Sequence, residues 1–270
     1  MMTVSSQALP TSTLNSTLNQ QAAPISYQFD FTCFFEHLVD VALTFTADTD
    51  APSLWLPAWI PGSYLMREFA RNITAVHYEI LDSQTLNNQT LDSQVADSDR
   101  TTEQYRAQKI DKNTWQLPQV RAGQSIHVHY EVYCYDLSVR TAYVDQQRLY
   151  GNFTSLALAI EGQEQKAVEV DLIVPTVFLA DKDTSRVRLA CGLEAVQSQG
   201  DKLRIYNLQA GSYHELIDYP FEIAEQDSFD FIIQDDKHQT IGHHFYLAGK
   251  HSANMGRLQQ DVTQICQTYL

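Results

Sequence analysis

The chain has 270 residues, which suffices for one large β domain or for a domain and part of a second. Its 18 Lys and Arg against 33 Asp and Glu give a formal net charge of -15, which disfavours nucleic acid and anionic membrane faces as partners. Hydrophobic residues make up 44% and aromatic residues 11% of the sequence, with only 10 Gly. This composition excludes collagenous, coiled-coil and wholly disordered chains.

The first 24 residues carry no charge and are rich in Ser, Thr, Asn and Gln. They lack the basic start and the apolar run of a signal peptide, so residues 1–24 are predicted to be a disordered tail of a cytoplasmic protein. The cysteines form no CxxC pair and no disulfide framework, and they lie at Cys33, Cys134, Cys191 and Cys266. No apolar run approaches the ~20 residues that a membrane helix needs, so no membrane partner is expected.

Alternation of apolar and polar residues predicts strands along most of the chain. The period of two is clearest at residues 25–35, 39–45, 126–134 and 168–174. Shorter strand candidates lie at residues 74–81, 104–110, 114–117, 186–190, 203–208, 229–234 and 242–247. No long helical pattern separates these strands, so a mostly β fold is predicted, an antiparallel β-sandwich over residues 25–235. The polar stretch 81–103, which contains LDSQ twice, is predicted to be a surface hairpin insertion.

The last part of the chain has a different period. Leu258, Val262, Ile265 and Tyr269 fall on one stripe of a helix that is predicted to begin near Ser252. The pattern continues to the end of the sequence without a Gly, Asn or Pro stop. Residues 236–270 are therefore predicted to be the strand and helix that begin a second, truncated domain. An exposed stripe of this kind could also pair two copies of the chain as a homodimer.

One short segment resembles part of a zinc motif. His214 and Glu215 begin an HExxH pattern, but Asp218 stands where the second histidine should be. The motif needs two imidazoles one helical turn apart, and Pro220 follows too closely for a long helix. The favoured interpretation is a polar turn before a strand at Phe221.

A second possible metal site is a pair of histidines on one predicted strand. His127 and His129 leave the same face of the strand and could chelate a metal with a third ligand. A solvent-facing or lightly packed pair is favoured, because they alternate with an apolar face. The sequence contains neither a G-x-S-x-G motif nor a Gly-rich phosphate loop. No catalytic residue and no metal ligand is therefore predicted in this chain.

Residues 54–73 form a segment that is too apolar for an ordinary surface loop, although Pro57, Pro61 and Gly62 interrupt it. It could be a loop that covers the core, with Arg67 neutralised by a nearby acid. Alternatively, Tyr64 and Arg67 could present a hydrogen-bond donor and a fixed cation to a cleft.

This segment carries a family resemblance. WIPGSY at residues 59–64, followed by REF at 67–69 and NI at 72–73, closely resembles the N-terminal region of the glycyl aminopeptidase family. These are bacterial zinc metallopeptidases that usually carry a PDZ domain. Three further stretches agree in order: residues 138–142 leading to 151–156, residues 215–222, and residues 242–249 with the helix after them.

The resemblance implies an N-terminal β-sandwich, then a thermolysin-like α+β catalytic domain bearing HExxH, then a PDZ module. This chain stops before HExxH, so zinc is implied only for the full-length parent and the chain should be inactive alone. Its implied partners are the missing catalytic domain and, through the parent, a peptide substrate.

By analogy with related zinc aminopeptidases, the sandwich would form a scaffold and the substrate-side wall of the catalytic cleft. The substrate-side candidates are Tyr64, Arg67, Asn152 and Ser155. The alternative from a different class is a stand-alone β-sandwich module that binds peptide or carbohydrate.

Overall fold

The computed structural model describes residues 24–60, 65–81, 103–199, 203–234 and 239–269. The candidate Tyr64 and almost all of the predicted tail and insertion lie outside the described residues. The strands are, in chain order, β1 (Ile25–Asp30), β2 (Leu38–Thr46), β3 (Ser53–Trp55), β4 (His77–Leu81), β5 (Gln104–Arg106), β6 (Gln108–Lys109), β7 (Thr114–Gln116), β8 (Ser125–Tyr133), β9 (Ala142–Val144), β10 (Arg148–Gly151), β11 (Ala159–Ile160), β12 (Val168–Pro175), β13 (Val187–Cys191), β14 (Ala195–Gln199), β15 (Leu203–Ala210), β16 (Phe221–Gln234) and β17 (Thr240–Ala248).

Helices are few in the described residues. They are α1 (Thr176–Leu179), α2 (Tyr213–Asp218) and α3 (Met255–Tyr269), with short 3-10 turns at Phe34–Glu36, Phe69–Asn72 and Phe153–Ser155. None of the described helices has the length and apolar character that a membrane crossing requires. The mostly β prediction is confirmed.

The strands of the described residues form three sheets. The largest has the order β14-β15-β12-β1-β2-β8-β4-β5. In it β1 runs parallel to β12, and all other neighbouring strands are antiparallel to each other. A second sheet has the order β13-β16-β10-β9, and a third has the order β11-β3-β7-β6. The parallel pair is an exception within the predicted, mostly antiparallel arrangement. It arises because β1 and β12 are far apart in sequence, so no hairpin turn dictates their direction.

Strand β16 belongs to two environments. Its first residues, up to Glu225, pair with β10 on one edge and with β13 on the other. From Gln226 to Gln234 it pairs with β17 instead. Strand β16 thus extends beyond the second sheet, and its outer half forms a hairpin with β17 and contacts α3.

The main core is aromatic and lies between the two larger sheets. Phe153 packs against Phe29 and Phe221, with ring centroids 5.3 and 4.9 Å apart, and Phe221 also meets Phe31 at 5.9 Å. All four rings are fully buried. Each contributes roughly 1.5–3 kcal/mol through burial alone, so this cluster is a principal source of stability.

Three buried tyrosines tie the core to a single backbone segment. The hydroxyls of Tyr27, Tyr130 and Tyr213 donate to the carbonyl oxygens of Leu158, Leu156 and Ala157, at 2.6, 2.8 and 2.8 Å. Burial raises the pKa of all three phenols. Since buried hydroxyls need partners, these bonds specify where the segment after Phe153–Ser155 must lie.

Two local predictions are wrong. The strand expected over residues 25–35 ends at Asp30, because the Asp30 carboxylate accepts from the Thr32 amide at 2.7 Å and from its hydroxyl at 2.6 Å, which turns the chain. The expected polar turn at His214 is α2. Its Ser212 hydroxyl accepts from the Glu215 amide at 3.1 Å, while the Glu215 carboxylate accepts from the Gly211 amide at 2.5 Å.

The predicted C-terminal helix is present as α3, but it begins later than Ser252. Glutamines fasten it to β16: Gln259 donates to the Asp230 carbonyl at 2.9 Å, and Gln267 donates to the Gln234 carbonyl at 2.9 Å. The end of the apolar stripe is open, since Ile265 is 56% and Tyr269 87% exposed. Leu258 and Val262, the other two residues of the stripe, are half-buried. The helix therefore docks through side-chain amides and the first half of the stripe, while the second half stays exposed.

Candidate functional site

The two stretches of one family-like motif, residues 138–142 and 151–156, meet at one exposed loop, residues 136–141. The Tyr150 hydroxyl donates to the Val139 carbonyl at 2.7 Å, and the Asn152 side-chain amide approaches the same oxygen at 3.5 Å. The Asn152 backbone amide donates to the Thr141 carbonyl at 2.9 Å. These bonds hold the loop while Leu137 and Val139 stay 74% and 71% exposed. We call this loop and its supports the motif cluster.

The candidates Asn152 and Ser155 lie beneath this loop and are buried. Asn152 Oδ1 accepts from the Thr154 amide at 3.0 Å, and the Ser155 hydroxyl donates to the Asn152 carbonyl at 2.9 Å. The Thr154 hydroxyl reaches the carbonyl of Ile217 in α2, 3.2 Å away. The side chains of both candidates thus form hydrogen bonds with backbone groups, which favours a role in stabilising the turn at residues 152–155.

Arg67 lies in a different part of the fold. Its backbone amide donates to the Ala58 carbonyl at 2.7 Å, so the apolar segment folds back on itself. Its Nε is buried and has no hydrogen-bond acceptor within the described part of the chain. A buried N–H in this state costs about 1–3 kcal/mol, so an acceptor brought by a partner would be favoured there. The substrate-side role of Arg67 stays a prediction.

Glu222 adjoins the motif cluster, although sequence reasoning did not select it. It lies opposite Tyr150 in the register of β10 and β16, and Arg148 Nη1 is 3.5 Å from its Oε1. Burial raises the pKa of the Glu222 carboxyl, and Arg148 opposes that rise. Its Oε1 is buried and accepts no hydrogen bond from the described residues. The sequence pointed to Glu222 only through its position as the last residue of the 215–222 motif.

A row of stacked rings extends from the motif cluster toward β2. Tyr143 stacks on Tyr135 at 5.1 Å, and His37 lies 3.9 Å from Tyr135. His37 Nδ1 is 2.7 Å from the Val144 carbonyl, which can only accept, so Nδ1 carries the proton and a neutral ring has its lone pair on Nε2. Burial and the hydrogen bond to Tyr135 raise the pKa of Tyr143 to about 12. The row joins distant segments, which no local sequence pattern reveals.

The described residues do not fit a zinc site. They contain no group of three or more His, Cys, Asp or Glu side chains that could hold a metal ion. In the incomplete zinc motif, α2 has only six residues, and the Glu215 carboxylate is used to cap it. Zinc therefore has no binding residues in this part of the chain, and no catalytic step is derived through it.

The histidine pair on β8 lies on the outer face of the largest sheet. His129 Nε2 is 3.7 Å from Asp40 Oδ1, and His127 Nδ1 is 3.1 Å from the Thr44 hydroxyl. Burial lowers the pKa of His127 and raises that of Asp40. No third metal ligand completes this pair among the described residues. His129 is exposed and His127 is half-buried, which agrees with the solvent-facing or lightly packed interpretation.

Comparisons with known proteins identify the family. Residues 26–225 match the model of the peptidase M61 N-terminal domain. The chain is similar to an aminopeptidase N family protein from Idiomarina loihiensis, with a TM-score of 0.69 and 32% identity over 90% of this chain and 36% of that one. No match was found among curated proteins.

More distant structures include an aminopeptidase A from Legionella pneumophila, with 7% identity and a TM-score of 0.45 over 83% of this chain and 24% of that one. An M1 zinc metallopeptidase from Deinococcus radiodurans has 12% identity and a TM-score of 0.40, over 87% of this chain and 50% of that one. The chain thus spans about a third of the Idiomarina protein, 36% of its length. With most of its residues inside the family match, the chain belongs to the peptidase M61 family as an N-terminal domain, which confirms the resemblance to glycyl aminopeptidases.

Proposed function

We propose that this chain is the non-catalytic, N-terminal part of a zinc-dependent, glycyl aminopeptidase-like enzyme, in which it forms a scaffold and the substrate-side wall. Family membership supports the aminopeptidase class. The fraction of the Idiomarina protein that the chain covers, 36%, leaves room for a catalytic domain elsewhere in such a parent.

The motif cluster is the observation that carries the substrate-side assignment. Two large apolar side chains, Leu137 and Val139, are held in solvent by a network of hydrogen bonds from Tyr150 and Asn152. A loop that served only the core would turn such side chains inward. A rigid loop with an apolar tip is suited to contact a peptide or the facing wall of a cleft.

The two larger sheets and the aromatic core between them are proposed to be the family's β-sandwich. The hairpin after Gln226 and α3 are proposed to begin its thermolysin-like domain. Phe229 and Phe245 stack at 4.7 Å, and Phe231 and His243 stack at 4.9 Å, in a small cluster separate from the main core. A hairpin and one helix bury little apolar surface, so further protein packing over them would add stability.

The decisive experiment compares this chain with the product of its complete reading frame. We expect one equivalent of zinc per chain only in a longer product. We also expect only that product to hydrolyse glycyl and alanyl p-nitroanilides. Purified 270-residue chain should do neither. Zinc-dependent hydrolysis by the chain alone, or a reading frame that ends at Leu270, would contradict the proposal.

The row of rings favours a second candidate, a peptide- or carbohydrate-binding module. Tyr133 and Tyr135, 46% and 51% exposed, flank His37 at the surface. Exposed tyrosines supply apolar faces and hydroxyl groups to such ligands. Tyrosine fluorescence titrations with oligosaccharides and short peptides would show saturable quenching, reduced in Tyr135→Ala, if this candidate were correct.

A further inference from the structure

A cleft of about 740 Å³ lies where the second sheet gives way to the C-terminal hairpin. The turn between β9 and β10, helix α1, the middle of β16 and the segment after β17 surround it. Its volume lies within the roughly 300–1,000 Å³ of small-ligand sites. We call it the junction cleft.

The junction cleft gathers positive charge in an acidic protein. Its cationic lining residues are Arg148, Lys182, Arg186 and Lys250, in a chain with 18 Lys and Arg against 33 Asp and Glu. Its acidic lining residues are Asp181, Glu225 and Asp227. Two of them already have partners: Asp227 binds Arg186 at 3.0 Å and His251 at 3.0 Å, and Glu225 accepts from the Asp183 amide at 3.0 Å. The charge that stays available therefore comes mainly from Lys182, Arg148 and Lys250.

Lys182 is the most informative of these cations. Its ammonium donates to the carbonyls of Gln146 and Phe178, both at 2.6 Å, and lies 3.8 Å from the centre of the Phe178 ring. Within the described chain its third N–H has no acceptor and no carboxylate lies within ion-pair distance. Burial lowers the pKa of this ammonium, against the weaker opposing effects of the nearby carboxylates of Glu225, Asp181 and Asp145. A half-buried cation without a contacting anion favours an anion from outside.

Arg148 offers a second set of donors at the same cleft. Its side chain is 34% exposed. Its contact with Glu222 is a 3.5 Å ion pair in which Glu222 Oε1 accepts no hydrogen bond from the described residues. A guanidinium has five N–H donors in a planar arrangement, so Arg148 can bind a further carboxylate without releasing Glu222.

The wall beside these cations is apolar. Phe35 is 53% and Val177 56% exposed, and both line the cleft. The Phe35 ring packs against the buried Phe34 ring, with centroids 4.2 Å apart, and this contact restricts the position of the exposed ring. A ligand that paired only with the cations would leave this wall in water.

We propose that the junction cleft binds a carboxylate joined to an apolar body, as in the C-terminal residue of a peptide or a free aryl acid. The carboxylate lies on Lys182 and Arg148, and the body lies on Phe35 and Val177. This site is separate from the motif cluster and does not depend on the aminopeptidase assignment.

The test titrates N-acetyl-L-phenylalanine into the isotopically labelled chain and follows amide resonances by NMR. Saturable shifts are expected at Phe35, Gln147 and Val177. N-acetyl-L-phenylalaninamide, which lacks the charge, and inorganic phosphate, which lacks the body, should each bind at least ~10-fold more weakly, since a hydrogen bond to a charged group and burial of an aromatic ring each exceed about 1.4 kcal/mol.

The same titration with N-acetylalanyl-phenylalanine separates the two sources of the carboxylate. Binding at least as tight as that of N-acetyl-L-phenylalanine assigns a peptide C-terminus, and weaker binding assigns a small free acid. No saturable shift at the cleft with any carboxylate, or equal binding of the amide or of phosphate, would overturn the proposal.

Two variants test the residues. Lys182→Gln should weaken the binding of N-acetyl-L-phenylalanine at least ~10-fold. The control Lys166→Gln removes an ion pair to Asp48 elsewhere and should leave this affinity unchanged. If Lys182→Gln does not fold, Phe35→Ser decides the question, because this ring is exposed. Unchanged affinity in folded Phe35→Ser would refute the apolar wall.

Discussion

The main core and the C-terminal hairpin with α3 are both rich in aromatic residues, but they differ in what covers those residues. In the core, Phe221 is fully buried among other rings. In the hairpin, Phe229 is only half-buried and stacks on one ring, Phe245. The core thus gains stability from enclosure on all sides, whereas the hairpin depends on a small ring cluster, on buried Phe231 and Ile233, and on glutamine side chains. The comparison shows that aromatic content by itself does not predict local stability.

The largest expected effect contrasts these two phenylalanines. Phe221→Ala should lower the free energy of unfolding by about 3–5 kcal/mol, because it leaves a cavity between buried rings. Phe229→Ala should cost less, about 1–3 kcal/mol, from the aromatic pair together with the partial burial of its ring. Urea unfolding of both variants measures the difference. Equal losses would mean that the hairpin is as firmly enclosed as the core.

A smaller loss is expected at the buried tyrosines. Tyr130→Phe removes the hydroxyl that donates to the Leu156 carbonyl and accepts from the Leu158 amide at 3.1 Å. Leaving these backbone groups unpaired should cost about 1–3 kcal/mol. The matched control is Tyr133→Phe at an exposed position on the same strand, for which no measurable change in urea unfolding is expected. A neutral Tyr130→Phe would show that water reaches this segment.

The docking of α3 should respond to its glutamines. Replacing Gln259 and Gln267 with Ala removes their hydrogen bonds to β16, each worth about 0.5–1.5 kcal/mol. Hydrogen exchange of α3 amides should then accelerate while exchange in β2 and β8 stays unchanged. The control is Gln264→Ala on the same helix. If α3 exchange responds to Tyr269→Ser instead, the apolar stripe and not the amides holds the helix.

The smallest effect is a pH dependence at Glu222. Its folded pKa is raised by burial from the usual 4.5, so its carboxyl favours folding when protonated and loses that contribution as pH rises from about 4.5 through the folded pKa. Glu222→Gln should therefore gain melting temperature relative to the parent chain as pH rises from 4 to 7.

The control for this pH series is Glu169→Gln, on the exposed side of β12. Its difference in melting temperature from the parent chain should stay constant over the same range. A Glu222→Gln difference that does not change with pH, or that falls, would contradict the burial argument and assign greater weight to the ion pair with Arg148.

Alternation along the sequence was sufficient to predict β2, β8, β12 and the mostly β class, because the period of two is a local property of strand geometry. The motifs around Asn152 and residues 215–222 were likewise sufficient to indicate the family. The spacing of Leu258 and Val262 predicted a helix at the C-terminal end, since periodicity needs only neighbouring residues.

Tertiary structure decided the rest, because it depends on pairings between distant segments. It placed β1 parallel to β12, brought Val139, Tyr150 and Asn152 to one loop, and set Glu222 beside Arg148. It also formed the junction cleft from segments that no sequence pattern connects. Short-range patterns reflect which face of an element is apolar, whereas a site depends on sheet order and register, which only the packing of the whole core determines.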